Sequence, residues 1–462
     1  MSELERLAAA CLLPGFQGRG PPDWLRAWAE DGLGGVVLFS RNVENREQLA
    51  ALTGALPGLL VAIDEEGGDV TRLEHTTGSS YPGSFALGVV DDVELTEQVG
   101  AAIGSDLAAV GVGLDFAPVA DVNTNPRNPV IGIRSFGSDP ELVARHVAAF
   151  VTGMQAAGVA ACAKHFPGHG DTEVDSHLDL PVVAGDLGAA LVPFSAAIDA
   201  GVRSIMTAHI RVPALDEAPA TLSRAILHGL LREELGFTGL VVTDALDMNA
   251  VSATVGMEEG AVLSLAAGAD ALCLGAGLDD TPVASIHRAI VEAVRDGRLA
   301  EERLREAAGR VRDVAAPAGG DCHVTVTVGL EAARRALHAE GTVQLSRPPF
   351  VVELVPEPSI AAGPARHGLG DALAAETIRM TGPPADGAVQ ITGGRQLVLV
   401  LRDAHRHAWE RDLAERLAED SDAVVVETGI PVWRPSRFAG YVATHGAGRV
   451  NFEAAAERLR TG

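Results

Sequence analysis

Short apolar runs alternate with stretches of helical periodicity from the start of the chain to about residue 315. The runs are 34–39 (GGVVLF), 59–63 (LLVAI), 113–119 (GLDFAPV), 159–163 (VAACA), 204–208 (SIMTA), 240–243 (LVVT) and 271–274 (ALCL). Amphipathic stretches such as 140–157 (PELVARHVAAFVTGMQAA) and 223–235 (SRAILHGLLREEL) separate them. Strand–helix units repeated without hairpin signals predict parallel βα units. Their number favours an α/β fold of the (β/α)8-type TIM barrel over an open doubly wound sheet, the other arrangement this pattern allows.

The pattern breaks near Ala315. A charged helix is expected over 301–314, and the Ala-Pro-Ala-Gly-Gly that follows reads as the start of a linker, 316–322. The chain therefore divides into a barrel over 1–315 and a smaller α/β (αβα) C-terminal domain over 323–462. Strand candidates in the second unit are 324–328, 350–354, 396–401 and 423–427.

With 62 acidic against 36 basic side chains, the net charge is −26. That balance argues against nucleic acid or an anionic membrane surface as partner, because both select a basic footprint. An apolar fraction of 47% with 21% charged residues is that of a globular protein. No apolar run approaches the roughly 20 residues that span a bilayer. The opening MSELERLAAACLLPGF carries Glu3 and Glu5 where a secretory leader has basic residues. Cys11, Cys162, Cys273 and Cys322 are far apart without CxxC spacing, so a reducing, cytoplasmic location is expected.

In a parallel barrel, residues just past the strand ends line the active-site mouth. Those positions hold Asp64, Asp121, Lys164-His165, His209 and Asp244, and their recurrence predicts a common site. The densest segment is 164–181, KHFPGHGDTEVDSHLDLP. Its Gly168 and Gly170 permit a mobile flap. Within it, Asp175 lies two residues before His177, where a carboxylate can fix the imidazole tautomer and raise its pKa toward neutrality. The His-x3-His-x-Asp spacing also suits a divalent metal, so a metal cluster stays open. Asp244 at the end of LVVT could be a nucleophile, a base, a metal ligand or a helix N-cap, with Asp247 one turn on as a structural residue. In DEEGGDVTRL, Asp64 can accept from two sugar hydroxyls and Arg72 can brace it. Arg134 sits in the turn-rich NPVIGIRSFG.

Taken together, these blocks resemble glycoside hydrolase family 3, in its bacterial β-N-acetylglucosaminidase branch. The likeness runs in order through GVVLFSRN, IDEEGG…R, FAPVADVN…NP, RSFG, KHFPGHGDT..DSH, LGFTGLVVTDALDM and AGADALCLG, over about the first 280 residues. It implies Asp244 as the nucleophile and Asp175 with His177 as the acid/base dyad of a retaining exo-hydrolysis. It implies Asp64, Arg72, Arg134, Lys164 and His165 as ligands of the terminal sugar, with His209 lining the same pocket. The implied substrate is a small carbohydrate carrying terminal GlcNAc, in muropeptides or other GlcNAc glycosides, with no cofactor and no metal. Alternatives with the same site are a phosphorylase and a β-glucosidase. A metal-dependent hydrolase and a non-catalytic sugar-binding protein are the rivals from other classes. Glu65 or Glu66, and Asp69, stand where the family commonly has Gln and Arg, and this extra acid is expected at the pocket rim. The C-terminal domain is expected to be structural.

Overall fold

The computed structural model of the chain describes residues 1–172, 180–183, 185, 187–315, 327–356, 360–363, 367–383, 394–419 and 421–461. Eight parallel strands among them form a ring: β1 (Leu12–Leu13), β2 (Gly35–Leu38), β3 (Leu60–Ile63), β4 (Leu114–Asp115), β5 (Ala160–Phe166), β6 (Ser204–Thr207), β7 (Leu240–Val242) and β8 (Leu272–Cys273). Strands β2 to β7 pair in chain order. A parallel bridge between Val242 and Ala271 joins β7 to β8, and β8 pairs with β1 through Leu12–Leu272 and Leu13–Cys273. The circle closes where the amides of Gly34 and Val37 donate to the carbonyls of Ala9 and Pro14.

The first strand is the one the hydrophobic pattern hides. The helix Glu3–Ala9 opens on a capping box between Ser2 and Glu5 and leads straight into two strand residues. Helix and strand thus merge into one apolar stretch without a period of its own.

Alternation along the strands sorts side chains into two layers. Leu13, Val37, Leu60, Ala62, Leu114, Ala160, Cys162, Met206, Val242 and Cys273 fill the barrel interior. Their neighbours Val36, Val61, Ile63, Ala161, Ile205 and Val241 face the surrounding helices. Val311 and Val314 of the helix Glu301–Ala315 pack into the interior cluster, so this last helix seals one end of the barrel. The other end, where the strands finish, is left for chemistry.

The second unit is a six-stranded sheet: β9 (His338–Gly341), β10 (Pro349–Leu354), β11 (Glu376–Met380), β12 (Gln396–Leu401), β13 (Val424–Glu427) and β14 (Gly440–Ala443), in the order β9-β14-β13-β12-β10-β11. All pairs are parallel except β9 with β14. Apolar clusters cover both faces, as an αβα layer requires. Of the expected strand at 324–328, positions 324–326 lie outside the described residues, and Val328 begins the helix Val328–Ala336. That helix is amphipathic and rests on the barrel, where a side chain at Gly329 would strike the Ser80 carbonyl at 1.9 Å. The expected linker, 316–322, also lies outside the described residues.

Candidate active site

The ends of β3 and β5 build the most charged part of the barrel mouth. Lys164 is 1% exposed, yet its ammonium lies 2.8 Å from Asp64 Oδ1 and 2.6 Å from Glu66 Oε1. Glu66 in turn accepts two bonds from Arg134, from Nε at 2.9 Å and Nη2 at 2.7 Å. Arg72 approaches Asp64 Oδ2 at 3.4 Å. Burial opposes ionisation of Asp64 and Glu66, but Lys164, Arg72 and Arg134 outweigh it and hold both carboxyls well below their usual range. By the same balance, burial works against the Lys164 ammonium while Asp64 and Glu66 raise its pKa above normal. Asp64, Glu66, Lys164 and Arg134 therefore stay ionised in a nearly dry setting.

Of the extra acid in the DEEGGD block, Glu65 and Glu66 lie buried in the floor of the site, while Asp69 lines the opening toward the C-terminal domain. Glu65 is 2% exposed, and its Oε2 accepts the amides of Arg72 and Leu73 at 2.8 and 2.9 Å. Burial pushes its carboxyl up to about 7. Gly67 and Gly68 take positive φ, and a side chain on Gly67 would meet the Pro82 carbonyl at 2.9 Å, so only glycine turns the chain here. Asp69, next along, forms an ion pair with Arg402 of the C-terminal domain.

Asp121 follows β4 and is fully buried. Its Oδ2 lies 2.7 Å from His165 Nδ1 and accepts the His165 amide, while Oδ1 takes the His169 amide at 2.6 Å. One carboxylate thus sets the tautomer of His165 and fixes the start of the KHFPGHG segment. His169 is itself buried, which lowers its pKa to about 4 and keeps it neutral at physiological pH. Asn128 ties this segment to the neighbouring loop by donating to the His169 carbonyl at 2.9 Å. Gly168 has φ +125°, as a loop glycine should. Gly170 is glycine for another reason: a side chain there would lie 1.9 Å from the Val122 carbonyl. Asp175 and His177, expected as the dyad, lie outside the described residues.

Asp244 follows β7, and its Oδ1 accepts the Ala245 amide at 2.8 Å. The next helix begins only at Asn249, with Met248 before it, so Asp244 is not a helix N-cap. Its half-buried side chain lines a cavity of about 360 Å³ together with Asp64, Arg72, Arg134, Lys164 and His165. Five of the six residues expected to bind sugar therefore converge with Asp244. His169, which the sequence offers only through a metal-like spacing, lines the same cavity, as do Met206 and Met248, which carry no chemical signal in the sequence.

His209 is the exception among the expected residues. It is 0% exposed and stands behind the cavity wall, with Nδ1 2.8 Å from Thr221 Oγ1 and Nε2 3.0 Å from the Ala245 carbonyl. It braces the residue after Asp244. Among the described residues, no three His, Cys, Asp or Glu side chains converge as metal ligands would.

The C-terminal domain reaches this mouth. Ile360 and Ala361 line the cavity, and His405 Nε2 lies 2.7 Å from the Pro126 carbonyl. Arg449 meets Ser80 and Glu74. By contrast, Arg434 pairs with Glu340 near the antiparallel edge, 2.6 Å away. The domain expected to be structural thus contributes to the wall of the site.

Comparison with known proteins agrees with this architecture. The family model for the glycosyl hydrolase family 3 N terminal domain matches residues 25–314. β-Hexosaminidase A of Pseudoalteromonas piscicida is 36% identical over 333 residues, 63% of this chain and 54% of its own length, so this chain spans about half of that relative. A glycoside hydrolase family 3 β-N-acetylglucosaminidase from Paenibacillus sp. str. FPU-7 superposes with a TM-score of 0.87 at 34% identity, covering 100% of this chain and 97% of its own. The β-N-acetylhexosaminidase of Beutenbergia cavernae gives a TM-score of 0.62 at 31% identity, over 68% of this chain and 99% of its own. With the ring of strands, the charged mouth and the match over most of the barrel, the chain belongs to glycosyl hydrolase family 3.

Proposed function

We propose that the chain is a retaining exo-β-N-acetylglucosaminidase, removing terminal GlcNAc from muropeptides or other GlcNAc glycosides in the cytoplasm. The observation that carries this reading is the single cavity that Asp244 shares with Asp64, Arg72, Arg134, Lys164 and His165. The full-length likeness to a β-N-acetylglucosaminidase supports the choice of sugar.

In this reading Asp244 attacks the anomeric carbon while His177, oriented by Asp175, protonates the leaving oxygen. The aglycone departs and a covalent glycosyl-enzyme remains. His177 then takes a proton from water, which attacks the same carbon and frees Asp244. Asp64 accepts from sugar hydroxyls, and its low pKa keeps it an acceptor throughout the neutral range. Arg72, Arg134, Lys164 and His165 donate to the remaining oxygens, including the acetamido group. An imidazole as proton donor avoids a further carboxylate in direct contact with the leaving oxygen.

Turnover of p-nitrophenyl β-N-acetylglucosaminide, compared with the β-glucoside, tests the proposal. A preference for the glucoside would replace this reading with a β-glucosidase. Sugar 1-phosphate formed only in added phosphate would replace hydrolysis with phosphorolysis.

A further inference from the structure

Asn128 joins two loops that line the sugar cavity. It is 1% exposed, and its side-chain amide fills all four of its hydrogen-bonding positions. Oδ1 accepts the amides of Val130 and Ile131 at 2.9 and 2.8 Å. Nδ2 donates to the His169 carbonyl at 2.9 Å and to Thr172 Oγ1 at 3.3 Å. We infer that Asn128 is a positioning residue for catalysis, which sets the loop carrying Arg134 against the segment carrying His169. This rests on the proposed glycosidase reading and adds to it the group that ties sugar binding to proton delivery.

The oxygen side leads to the sugar. Held by their amides, Val130 and Ile131 turn their carbonyls onto Arg134, which donates from Nη1 at 3.1 Å and from its own amide at 2.9 Å. With Nη1 occupied, Nε and Nη2 are directed at Glu66. Val130 also lines the cavity itself and packs on Val119 and Ile131. Loss of the Asn128 oxygen therefore loosens a wall residue and a sugar ligand together.

The nitrogen side leads to the acid. Thr172 Oγ1 lies 2.7 Å from His169 Nδ1, so Asn128 reaches that cavity-lining imidazole through both the carbonyl and the hydroxyl of its turn. From Thr172 the chain runs on to Asp175 and His177, the proposed dyad. A backbone N–H only donates and a carbonyl only accepts, so the Asn128 amide has one possible orientation. The position requires a donor and an acceptor on the same short side chain. Aspartate would keep the acceptor and set a second oxygen against the His169 carbonyl. Alanine would leave both loops with buried, unpaired groups, whose desolvation is then uncompensated.

Two measurements on the full chain test this, each normalised to active sites titrated with 5-fluoro N-acetylglucosaminyl fluoride. The inhibition constant of free GlcNAc reports sugar binding. The ratio of kcat/KM on p-nitrophenyl to methyl β-N-acetylglucosaminide reports protonation of the leaving oxygen, which only the methyl glycoside needs. Asn128→Ala is expected to raise the constant and widen the ratio, each roughly tenfold, as loss of a net hydrogen bond does. Asn128→Asp widens the ratio alike but keeps the constant within about threefold of the wild type, because its oxygen still takes the Val130 and Ile131 amides. Thr172→Val removes one nitrogen-side partner and widens the ratio alone, which keeps the test open should Asn128→Ala not fold. Wild-type constants and ratios in the Asn128→Asp and Thr172→Val sites that still titrate would reduce Asn128 to a structural brace and overturn the inference. So would an Asn128→Asp effect on GlcNAc binding as large as its effect on the ratio. Failure of the wild type to turn over either glycoside would overturn the glycosidase reading, and the inference with it.

Discussion

Lys164 and Glu66 meet at 2.6 Å in the floor of the site, both almost wholly removed from solvent. Neither charge is tolerable there alone. Lys164 links Glu66 to Asp64, and Arg134 completes the network from the other side. Replacing Lys164 by Met leaves two carboxylates short of their shared cation and is expected to cost about 3–5 kcal/mol of stability. Urea unfolding of the variant checks this. Loss below about 1 kcal/mol would show that solvent already screens the pair.

Asp244→Ala is expected to reduce kcat by roughly 10³-fold or more, as removal of a covalent nucleophile does. A 5-fluoro N-acetylglucosaminyl fluoride should label one peptide, the one containing Asp244. Label on any other peptide would refute the assignment. Activity of the unmodified protein should persist in EDTA, and its disappearance would favour a metal-dependent hydrolase.

His177→Ala should lose most activity on substrates with poor leaving groups and much less on those with good ones, because a good leaving group departs without protonation. Comparing kcat/KM across a series of aryl glycosides gives the slope directly. A uniform loss would remove His177 from the role of acid.

Stability is expected to fall as pH rises from about 5 to 9. Burial raises the carboxyls of Glu65, Glu427 and Glu410 to about 7, 8 and 9. The folded chain therefore holds protons that the unfolded chain releases near its ordinary glutamate pKa of 4.5. Their contribution is complete below that value and is lost as pH climbs through the folded values, at roughly 1.4 kcal/mol per pH unit for each extra proton. Asp64 and Glu66 act oppositely, stabilising above the normal carboxylate range and losing that effect in acid. Thermal midpoints across pH, with Glu410→Gln flattening the alkaline limb, check the sign.

Much of the fold is legible in the residues because period and burial are local properties. The runs LLVAI, SIMTA and LVVT became β3, β6 and β7 at nearly their expected bounds, and QLVLVL became β12. Misses fall where a strand lacks its own pattern. Leu12–Leu13 is too short to alternate, and His338–Gly341 reads HAEG, an edge strand of which only Ala339 packs partly against the core and which pairs with β14.

The site divides in the same way. That Asp64, Lys164, His165 and Asp244 follow apolar runs is written in the chain, since a strand end fixes where the next polar residue points. Partnership is another matter. Glu66 with Arg134 lies 68 positions apart, Asp121 with His165 lies 44, and Asp69 with Arg402 lies 333. A composition or spacing rule cannot rank such distant pairs, because long-range closure depends on how every intervening element packs. The sequence alone determined that this is a charged-mouth barrel with a carboxylate at the end of LVVT. Only tertiary structure decided that Glu65 and Glu66 lie in the floor, that His209 stands behind the wall, and that a second domain borders the pocket.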